Sequence, residues 1–541
     1  MKTPHPELSE WIASPDEQSA ASHFITLGDA LRDAAAKWPD QDAVVYRHQP
    51  AVLPTAWTFA ELDELSERLA GALLGLGFRP GERIAIWAPN CPEWILLEYA
   101  IAKAGLVLVA LNPLYKVAEL EFALVDSNVA GIFYADEIGG LSPEPVIRQA
   151  QSTAGTLRHT QPFSSIWTDL LPGAPSESVD VTTAPDSTFM IQYTSGTTGS
   201  PKAARLSHQA ITTTARNSYH LWGLSEQSRV CHGFPLFHVG GSGNSIPGAA
   251  LNGATTLPLY IFKAPITLDI LEKERCTAFI GVPTMLIAML DDPSIAGRSF
   301  DHLQKIIVGG APVTRDLLEQ CQDVFGADVT NCYGQTETCG VTTTTAPQDS
   351  AEKKTQTSGI PLAGVSVAIK NESGETVPHN TVGELHYKGP GRMSGYGAFP
   401  AEGESSRAES WLPSGDLARM DSEGFVSIVG RQKEMIIRGG ENLSPVEIET
   451  FIRTHPCVSD VAVIGVPDRK YGEEVCAVVR TTPDVEISGS EIRQWCAERI
   501  SRWKVPKYVE LIDDFPLTPS GKIQKFILQK QMSERLGLDS E

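Results

Sequence analysis

The sequence predicts an α/β protein: a large N-terminal part of alternating strands and helices, followed by a small α+β part at the C-terminal end. Two observations carry this. Strand-like and helix-like runs alternate at short spacing through the first third of the chain, which is the pattern of parallel layers. After Lys433 the pattern becomes that of a compact α+β domain of about a hundred residues. The chain has 541 residues, 42% of them hydrophobic, enough for a large core and more than one domain.

The elements follow in order. From Thr58 to Leu76, the residues Leu62, Leu65, Leu69, Ala72, Leu73 and Leu76 fall at helical spacing, with Thr58 and Glu61 as a capping box. Arg83–Trp87 reads as a strand, Pro92–Ala104 as a helix and Leu106–Ala110 as the next strand, with a turn at Asn112-Pro113-Leu114-Tyr115. Gln151–Pro185 is rich in Ser, Thr and Pro and reads as a loop-rich connection. Phe189–Tyr193 is a buried strand, and Ile306–Val308 another. Past Lys433, Ser444 caps a helix with Pro445 at its first position and Glu447 at its third. Val461–Val466 reads as a strand, and Ser488 with Glu491 caps a helix burying Ile492, Trp495, Cys496 and Ile500.

Charge and cysteine content narrow the class. Lys+Arg is 44 against 66 Asp+Glu, a net charge of −22. An acidic body argues against nucleic acid and anionic membrane as partners, and any anionic ligand must be held by local positive groups. The nine cysteines are odd in number with no CxxC spacing, which reads as free thiols in a reducing cytoplasm. The N-terminus has no apolar signal core, and no apolar run reaches the roughly 18 residues of a membrane span.

The chemistry gathers around Tyr193-Thr194-Ser195-Gly196-Thr197-Thr198-Gly199-Ser200-Pro201-Lys202. A glycine-rich loop leaving a strand lets backbone N–H groups approach an oxyanion, because no Cβ intervenes. The Ser and Thr hydroxyls add donors, and Lys202 adds a point charge. This is equipment for a polyphosphate, although Ser200 and Pro201 set it apart from the usual Gly-Lys-Ser/Thr ending of a P-loop.

The stretch resembles the phosphate loop of the adenylate-forming superfamily, which contains acyl-CoA synthetases, aryl-CoA ligases, luciferases and peptide-synthetase adenylation domains. Many members have Gly after the lysine; this chain has Ala203-Ala204, both small. A second motif, Asn331-Cys332-Tyr333-Gly334-Gln335-Thr336-Glu337, resembles the superfamily's Tyr-Gly-x-Thr-Glu signature. Further matches are Gly309-Gly310-Ala311-Pro312, Ser414-Gly415-Asp416, Gly430-Arg431-Gln432-Lys433 and Pro516-Leu517-Thr518-Pro519-Ser520-Gly521-Lys522. They occur in the family's order, from about Phe24 to Lys530.

The resemblance implies an N-terminal domain, 1–432, of α/β subdomains with a β-barrel-like subdomain, and a mobile C-terminal domain, 433–541. It implies that Thr194, Ser195, Gly196, Thr197, Thr198, Gly199 and Lys202 bind ATP phosphates. Gly310, Ala311 and Pro312 would lie flat against the adenine with Tyr333 stacked on it, and Asn331, Cys332, Gly334 and Lys433 would also belong to the ATP/AMP site. Thr336 would reach the α-phosphate, and Glu337 would hold Mg²⁺, a hard cation that takes one or two carboxylates. Asp416, as an acceptor-only carboxylate, and Arg431 would serve the ribose. Lys433 is the implied hinge. Lys522 is the implied catalytic lysine of adenylation, with Glu337 and Lys202.

By the same resemblance His238, Val239, Gly240, Gly241, Gly309, Gln335 and Gly340 line an acyl pocket. Members that activate amino acids carry an aspartate near His238 to pair the α-amine. No Asp occurs between Phe234 and Asn244, and a buried ammonium needs a partner. The acid is therefore expected to lack an α-amine and to be fatty, aryl or bulky and cyclic. Gly439 and Gly440 match a loop lining the CoA tunnel. Related plant ligases often carry lysines at the places of Ile437 and Gly439, which leaves Arg502 and Lys504 as substitute CoA-binding cations.

The expected activity is an ATP-dependent acid–CoA ligase with ATP, Mg²⁺ and CoA, working in the cytoplasm as monomer or homodimer. The same adenylation chemistry could instead load a carrier protein. A luciferase-like oxidative enzyme and a non-catalytic nucleotide-binding relative are the other classes; the presence of Glu337 and Lys522 speaks against the last.

Overall fold

The computed structural model describes residues 5–49, 55–175, 179–194, 201–397, 410–438, 441–482, 485, 487–518 and 522–538, without the side chains of 441 and 442. They pack as two units. One runs from Trp11 to Ser366 and resumes from Tyr387 to Trp411; the other takes the N-terminal stretch ending at Glu10, Val367–His386 and everything from Leu412 onward.

In the first unit, helix α1 (Phe59–Gly75) starts at Thr58, whose hydroxyl accepts from the Glu61 N–H while the Glu61 carboxylate accepts from the Thr58 N–H. Leu62, Leu69 and Leu73 are its buried stripe. Strand β1 (Arg83–Trp87), helix α2 (Pro92–Lys103) and strand β2 (Val107–Leu111) form the expected parallel unit, Arg83 lying opposite Val107 and Trp87 opposite Leu111. β2 is buried along its whole length, as strands covered on both faces are. β3 (Thr188–Thr194) pairs parallel to β2. β4 (Lys202–Ser207) turns back antiparallel to β3, with Thr194 opposite Lys202.

The Gln151–Pro185 connection holds more structure than its composition suggests. His159–Pro162 forms an outer strand parallel to Val129–Tyr134, and Ile166–Leu170 forms a helical turn. Leu157, Phe163, Ile166 and Leu170 are buried; a few apolar anchors in a polar stretch suffice for an edge strand, which is paired on one side only.

A second sheet has nine strands. Near one end, β5 (Lys305–Gly309) and β6 (Asp328–Tyr333) run parallel, Gly309 opposite Cys332. Ala278–Gly281 and then Arg229–His232 continue the parallel run. The segments that leave the C-terminal ends of these strands carry Phe234–Gly243, Gly309–Pro312 and Tyr333–Glu337, and such ends are where parallel sheets bind ligands. β7 (Gly395–Tyr396) then returns to the first sheet, making it seven-stranded, and pairs antiparallel with β4.

The second unit contains a five-stranded sheet in which β8 (Leu412–Met420) and β9 (Val426–Arg431) pair antiparallel, Asp416 opposite Arg431. Beyond it, helix α3 (Pro445–Ile452) is capped by Ser444, whose hydroxyl accepts from the Glu447 N–H. β10 (Val458–Asp468) and β11 (Gly472–Thr481) form a long antiparallel pair. Helix α4 (Gly489–Ala497) starts with the capping box of Ser488 and Glu491. Ile448, Ile452, Val461, Val475, Ile492 and Cys496 share one core, with Trp495 and Ile500 against it. All nine cysteines are free. Among the described residues no helix is long and apolar enough to cross a membrane.

Candidate active site

Tyr193, at the head of the glycine-rich stretch, is a tether. Its hydroxyl lies 2.6 Å from the Ser127 hydroxyl and donates to Asp126 Oδ2 at 2.8 Å. It fixes the end of β3, and Thr194 and Lys202 close the hairpin across from each other. Ser195, Gly196, Thr197, Thr198 and Gly199 lie outside the described residues. Ala203 and Ala204, where the family often has Gly first, are buried in β4, so small side chains are what the packing admits.

Lys202 and Glu337 are brought together through a residue that the motifs did not flag. The Lys202 ammonium lies 5.2 Å from the centroid of the Tyr396 ring. The Tyr396 hydroxyl donates to Glu337 Oε1 at 2.7 Å. Tyr396 sits opposite Ala204, and alternate residues of a strand share a face, so its ring falls on the Lys202 side of β4. From β4 as well, the buried Arg205 donates to the Tyr396 and Gly397 carbonyls at 2.9 and 2.7 Å. The Met393 N–H donates to the Glu337 carbonyl at 2.9 Å. Tyr387 is buried, and among the described residues its hydroxyl has no hydrogen-bond partner. Burial first, then the Glu337 charge, pushes its phenol well above the usual range.

The segments after β5 and β6 face each other. Gly310 adopts φ 85°, a conformation glycine tolerates, and Ala311 and Pro312 are exposed, so a nearly bare backbone surface follows β5. A Cβ on Gly309 would lie 3.0 Å from Cys332 Sγ and 3.8 Å from the Phe234 ring. Asn331 is buried, and its side-chain amide donates to the Thr357 carbonyl at 3.0 Å. Burial pushes the Cys332 thiol up to about 12, so it stays protonated. Tyr333, Gly334, Gln335 and Thr336 are half-buried, and the Gly340 N–H donates to the Gln335 carbonyl at 2.9 Å.

His238 is half-buried with its ring 6.4 Å from that of Phe234, nearly parallel; its Nδ1 accepts from the Gly240 N–H at 3.1 Å. A Cβ on Gly241 would meet the Pro235 carbonyl oxygen at 2.3 Å, so this glycine serves the bend itself. Val239 is buried, and a Cβ on Gly340 would touch it at 3.7 Å. Gly309 thus lies against Cys332 and Phe234, His238 stacks with Phe234, and Gly340 joins Val239 and Gln335.

In the second unit, Asp416 is buried and Arg431 Nε lies 3.1 Å from its Oδ1. Lys433 is exposed on a short helical turn, Gln432–Glu434. The Lys522 loop is stapled by Thr518: its hydroxyl accepts from the Lys522 N–H at 3.0 Å, and its N–H donates to the Lys522 carbonyl at 2.7 Å. Pro519, Ser520 and Gly521 lie outside the described residues. Much of the Lys522 side chain meets solvent, yet its ammonium is held below the ordinary lysine value. Desolvation by surrounding protein is the main cause; Arg431 adds to the fall, and Asp416 and Glu434 oppose it. Lys522 therefore stands within electrostatic reach of the Asp416–Arg431 pair.

Gly439 and Gly440 lie outside the described residues. Just before them the Arg438 guanidinium lies 5.4 Å from the Tyr471 ring and 5.2 Å from the Trp503 ring, the two rings meeting edge to face at 5.9 Å, and it pairs with the buried Glu474 at 2.8 Å. Lys504 pairs with Glu447. Tyr396, Tyr471 and Trp503 belong to no motif; the exposure of Trp503, 46%, follows only from the fold.

The first unit thus contains Lys202, Tyr396 and Glu337 and an apolar cluster at Phe234 and Cys332, and the second carries Asp416, Arg431 and Lys522. The family model described as AMP-binding enzyme matches residues 31–397, and the AMP-binding enzyme C-terminal domain matches 447–522. The chain is 34% identical to the human protein named medium-chain acyl-CoA ligase ACSF2, mitochondrial, over 95% of this chain and 88% of that one. It superposes on a Mycobacterium tuberculosis fatty acyl CoA synthetase with a TM-score of 0.73 at 30% identity, covering 94% of this chain and 99% of the other. It is also similar to Bacillus subtilis o-succinylbenzoate coenzyme A synthetase in complex with ATP and magnesium ion: TM-score 0.79, 28% identity, 93% and 99% covered. The chain belongs to the AMP-binding enzyme family, the adenylate-forming enzymes, on its acyl-CoA synthetase branch.

Proposed function

We propose that this AMP-forming acid–CoA ligase activates a carboxylic acid without an α-amine, fatty, aryl or bulky and cyclic, and passes the acyl group to CoA. A carboxylate has no leaving group that a thiol could displace. Attack of a carboxylate oxygen on the α-phosphorus of ATP forms the acyl–phosphate bond and releases pyrophosphate. The CoA thiolate then attacks the acyl carbon, forming the thioester and releasing AMP. Catalysis of the first step is mostly electrostatic, because charge collects on phosphoryl oxygens.

The residue roles follow. Lys202 and the Thr194–Gly199 loop hold the phosphates, and Gly310–Pro312 with Asn331–Gly334 hold the base. Thr336 contacts the α-phosphate, and Asp416 with Arg431 holds the ribose. Lys522 bridges the carboxylate and the α-phosphate, the assignment supported by its reach to Asp416 and Arg431. Glu337 would hold Mg²⁺. Among the described residues no cluster of His, Cys, Asp and Glu forms a complete metal cage; a single carboxylate fits Mg²⁺, whose other ligands are waters and substrate phosphates. Bound there, the ion would neutralise phosphate charge.

His238, Val239, Gly240, Gly241, Gly309, Gln335 and Gly340 line the acyl pocket. Residues 433–541 turn about Lys433 between the two steps, and Gly439 and Gly440 line the CoA tunnel. The exposed Trp503 ring, beside Tyr471 and the Glu474-paired Arg438, suits the CoA nucleotide by stacking. Free thiols, most of them buried, support a cytoplasmic location.

The observation that carries the acyl half of the reading is that the segment from Phe234 to Asn244, which includes His238, contains no carboxylate. The test is a pyrophosphate-release screen over carboxylic acids, followed by mass spectrometry with CoA or a phosphopantetheinyl carrier protein. Acyl-CoA is the expected product. Acyl-AMP consumed by the carrier and left untouched by CoA overturns it. The α-amino analogue of a good acid is expected to turn over at least about a hundredfold more slowly, since its ammonium would be desolvated unpaired at several kcal/mol; comparable kcat/KM for the two refutes this.

A further inference from the structure

Lys202 and Glu337 carry opposite charges in one corner of the first unit, and no ion pair joins them. Tyr396 stands between: ring under the ammonium at 5.2 Å, hydroxyl on the carboxylate at 2.7 Å. Its backbone is fixed on both counts that matter. It is paired opposite Ala204 in β4, the strand that begins with Lys202, and its carbonyl accepts from the buried Arg205. The residue is 43% exposed, so it is not held there by burial; its two polar contacts are what the placement provides.

We propose that Tyr396 is a positioning residue of the phosphate site, holding the Glu337 carboxylate and the Lys202 ammonium at a set separation. The proposal rests on the reading of Glu337 and Lys202 given above. A direct Lys–Glu pair would have to be broken before a phosphate could use the lysine. A ring–ammonium contact is weak and yields readily to a phosphate. One donated hydrogen bond fixes a carboxylate's orientation while leaving its remaining acceptor sites for a hydrated cation. Groups that orient a metal-binding carboxylate in this way typically change metal affinity by about 10- to 100-fold when removed.

Tyr396→Phe keeps the ring and loses the hydroxyl; Tyr396→Leu loses both. Mn²⁺ binding to the enzyme–ATP complex, followed by electron paramagnetic resonance, is expected to weaken about tenfold or more in Tyr396→Phe. The Mg²⁺ concentration for half-maximal pyrophosphate exchange should rise in parallel. KM for the acid should stay unchanged, and so should thioester formation from supplied acyl-AMP. Tyr396→Leu should in addition weaken ATP binding measured without metal. Unchanged Mn²⁺ affinity in Tyr396→Phe overturns the proposal. So does an equal loss in both half-reactions with a lowered melting temperature, which marks a merely structural tyrosine. Glu337→Gln separates this failure from that of the underlying reading: if it leaves Mn²⁺ affinity intact, the metal assignment itself is wrong. If only Tyr396→Phe does so, Tyr396 alone is misassigned.

Discussion

Lys202 and Lys522 are both assigned to the nucleotide, and the fold holds them by different means. Lys202 opens a strand paired on both sides, to β3 and to β7, and its ammonium rests over a ring carried by one of those neighbours. Lys522 sits on a loop closed by its own turn, with Thr518 as the staple. Near it, the turn bearing Lys433 is exposed, and Glu434 meets Lys525 only at 3.5 Å. A charge fixed in a sheet stays where it is through both half-reactions. A charge on a self-contained loop can be carried in and out as a unit, because moving it breaks no sheet hydrogen bonds. On this difference rests our proposal that Lys202 serves binding and Lys522 one chemical step.

The sharpest way to break this contrast is Lys522→Ala. Adenylation should fall by about 10²–10³-fold or more, the scale of one electrostatic contact made in the transition state. Thioester formation from synthetic acyl-AMP and CoA should proceed near the wild-type rate in single-turnover experiments. Equal losses in both steps would mean that the loop does not alternate. Lys433→Pro is the complement and should have the next largest effect. By restricting the backbone at the exposed turn, it should spare acyl-AMP formation and slow thioester formation by about tenfold or more.

The lowered pKa of Lys522 sharpens the comparison by pH. On the proposed role its charged form is the active one, so adenylation should decline as pH rises through a value below the 10.5 of an unperturbed lysine. The decline should be absent from the residual activity of Lys522→Ala and from the thioester step. A limb of the same position in all three would assign it elsewhere.

A further expected effect is on stability, and it separates the units. In the first, burial lowers His208 to about 4 and His232 to about 3. Each binds a proton near 6.5 when unfolded but resists it when folded. Stability is thus complete above that pH and falls as pH drops from 6.5 toward 4, by on the order of 3 kcal/mol for His208. In the second, hydrogen bonds from Lys507 and the Tyr471 backbone depress Asp468 to about 2. Its contribution is present above the unfolded carboxylate value and is lost only as pH falls from about 4 toward 2. Domain-resolved hydrogen exchange between pH 7 and 4 should therefore loosen the first unit first. A second unit that opens earlier would contradict this assignment.

Much of this was legible in the residues. The capping boxes at Thr58 and Ser488, Pro92 and Pro445 at helix starts, and the buried runs of β1 and β2 are local, and local geometry is written in neighbouring side chains. The motifs around Lys202, Glu337, Asp416 and Lys522 placed the chain in its family for the same reason: each is a short segment whose chemistry needs specific atoms at fixed spacing. What only the tertiary structure decided is what lies between such segments. Nothing near Gly395–Tyr396 announces a strand of two residues, and the partner that gives it meaning, Arg205, is 191 positions away. The His159–Pro162 strand hid in a polar stretch because an edge strand needs little apolar pattern of its own. Likewise the cluster of Arg438 with Tyr471 and Trp503 joins three separate stretches. A pairing of distant segments depends on the shape both acquire in the folded chain, and no local periodicity records it.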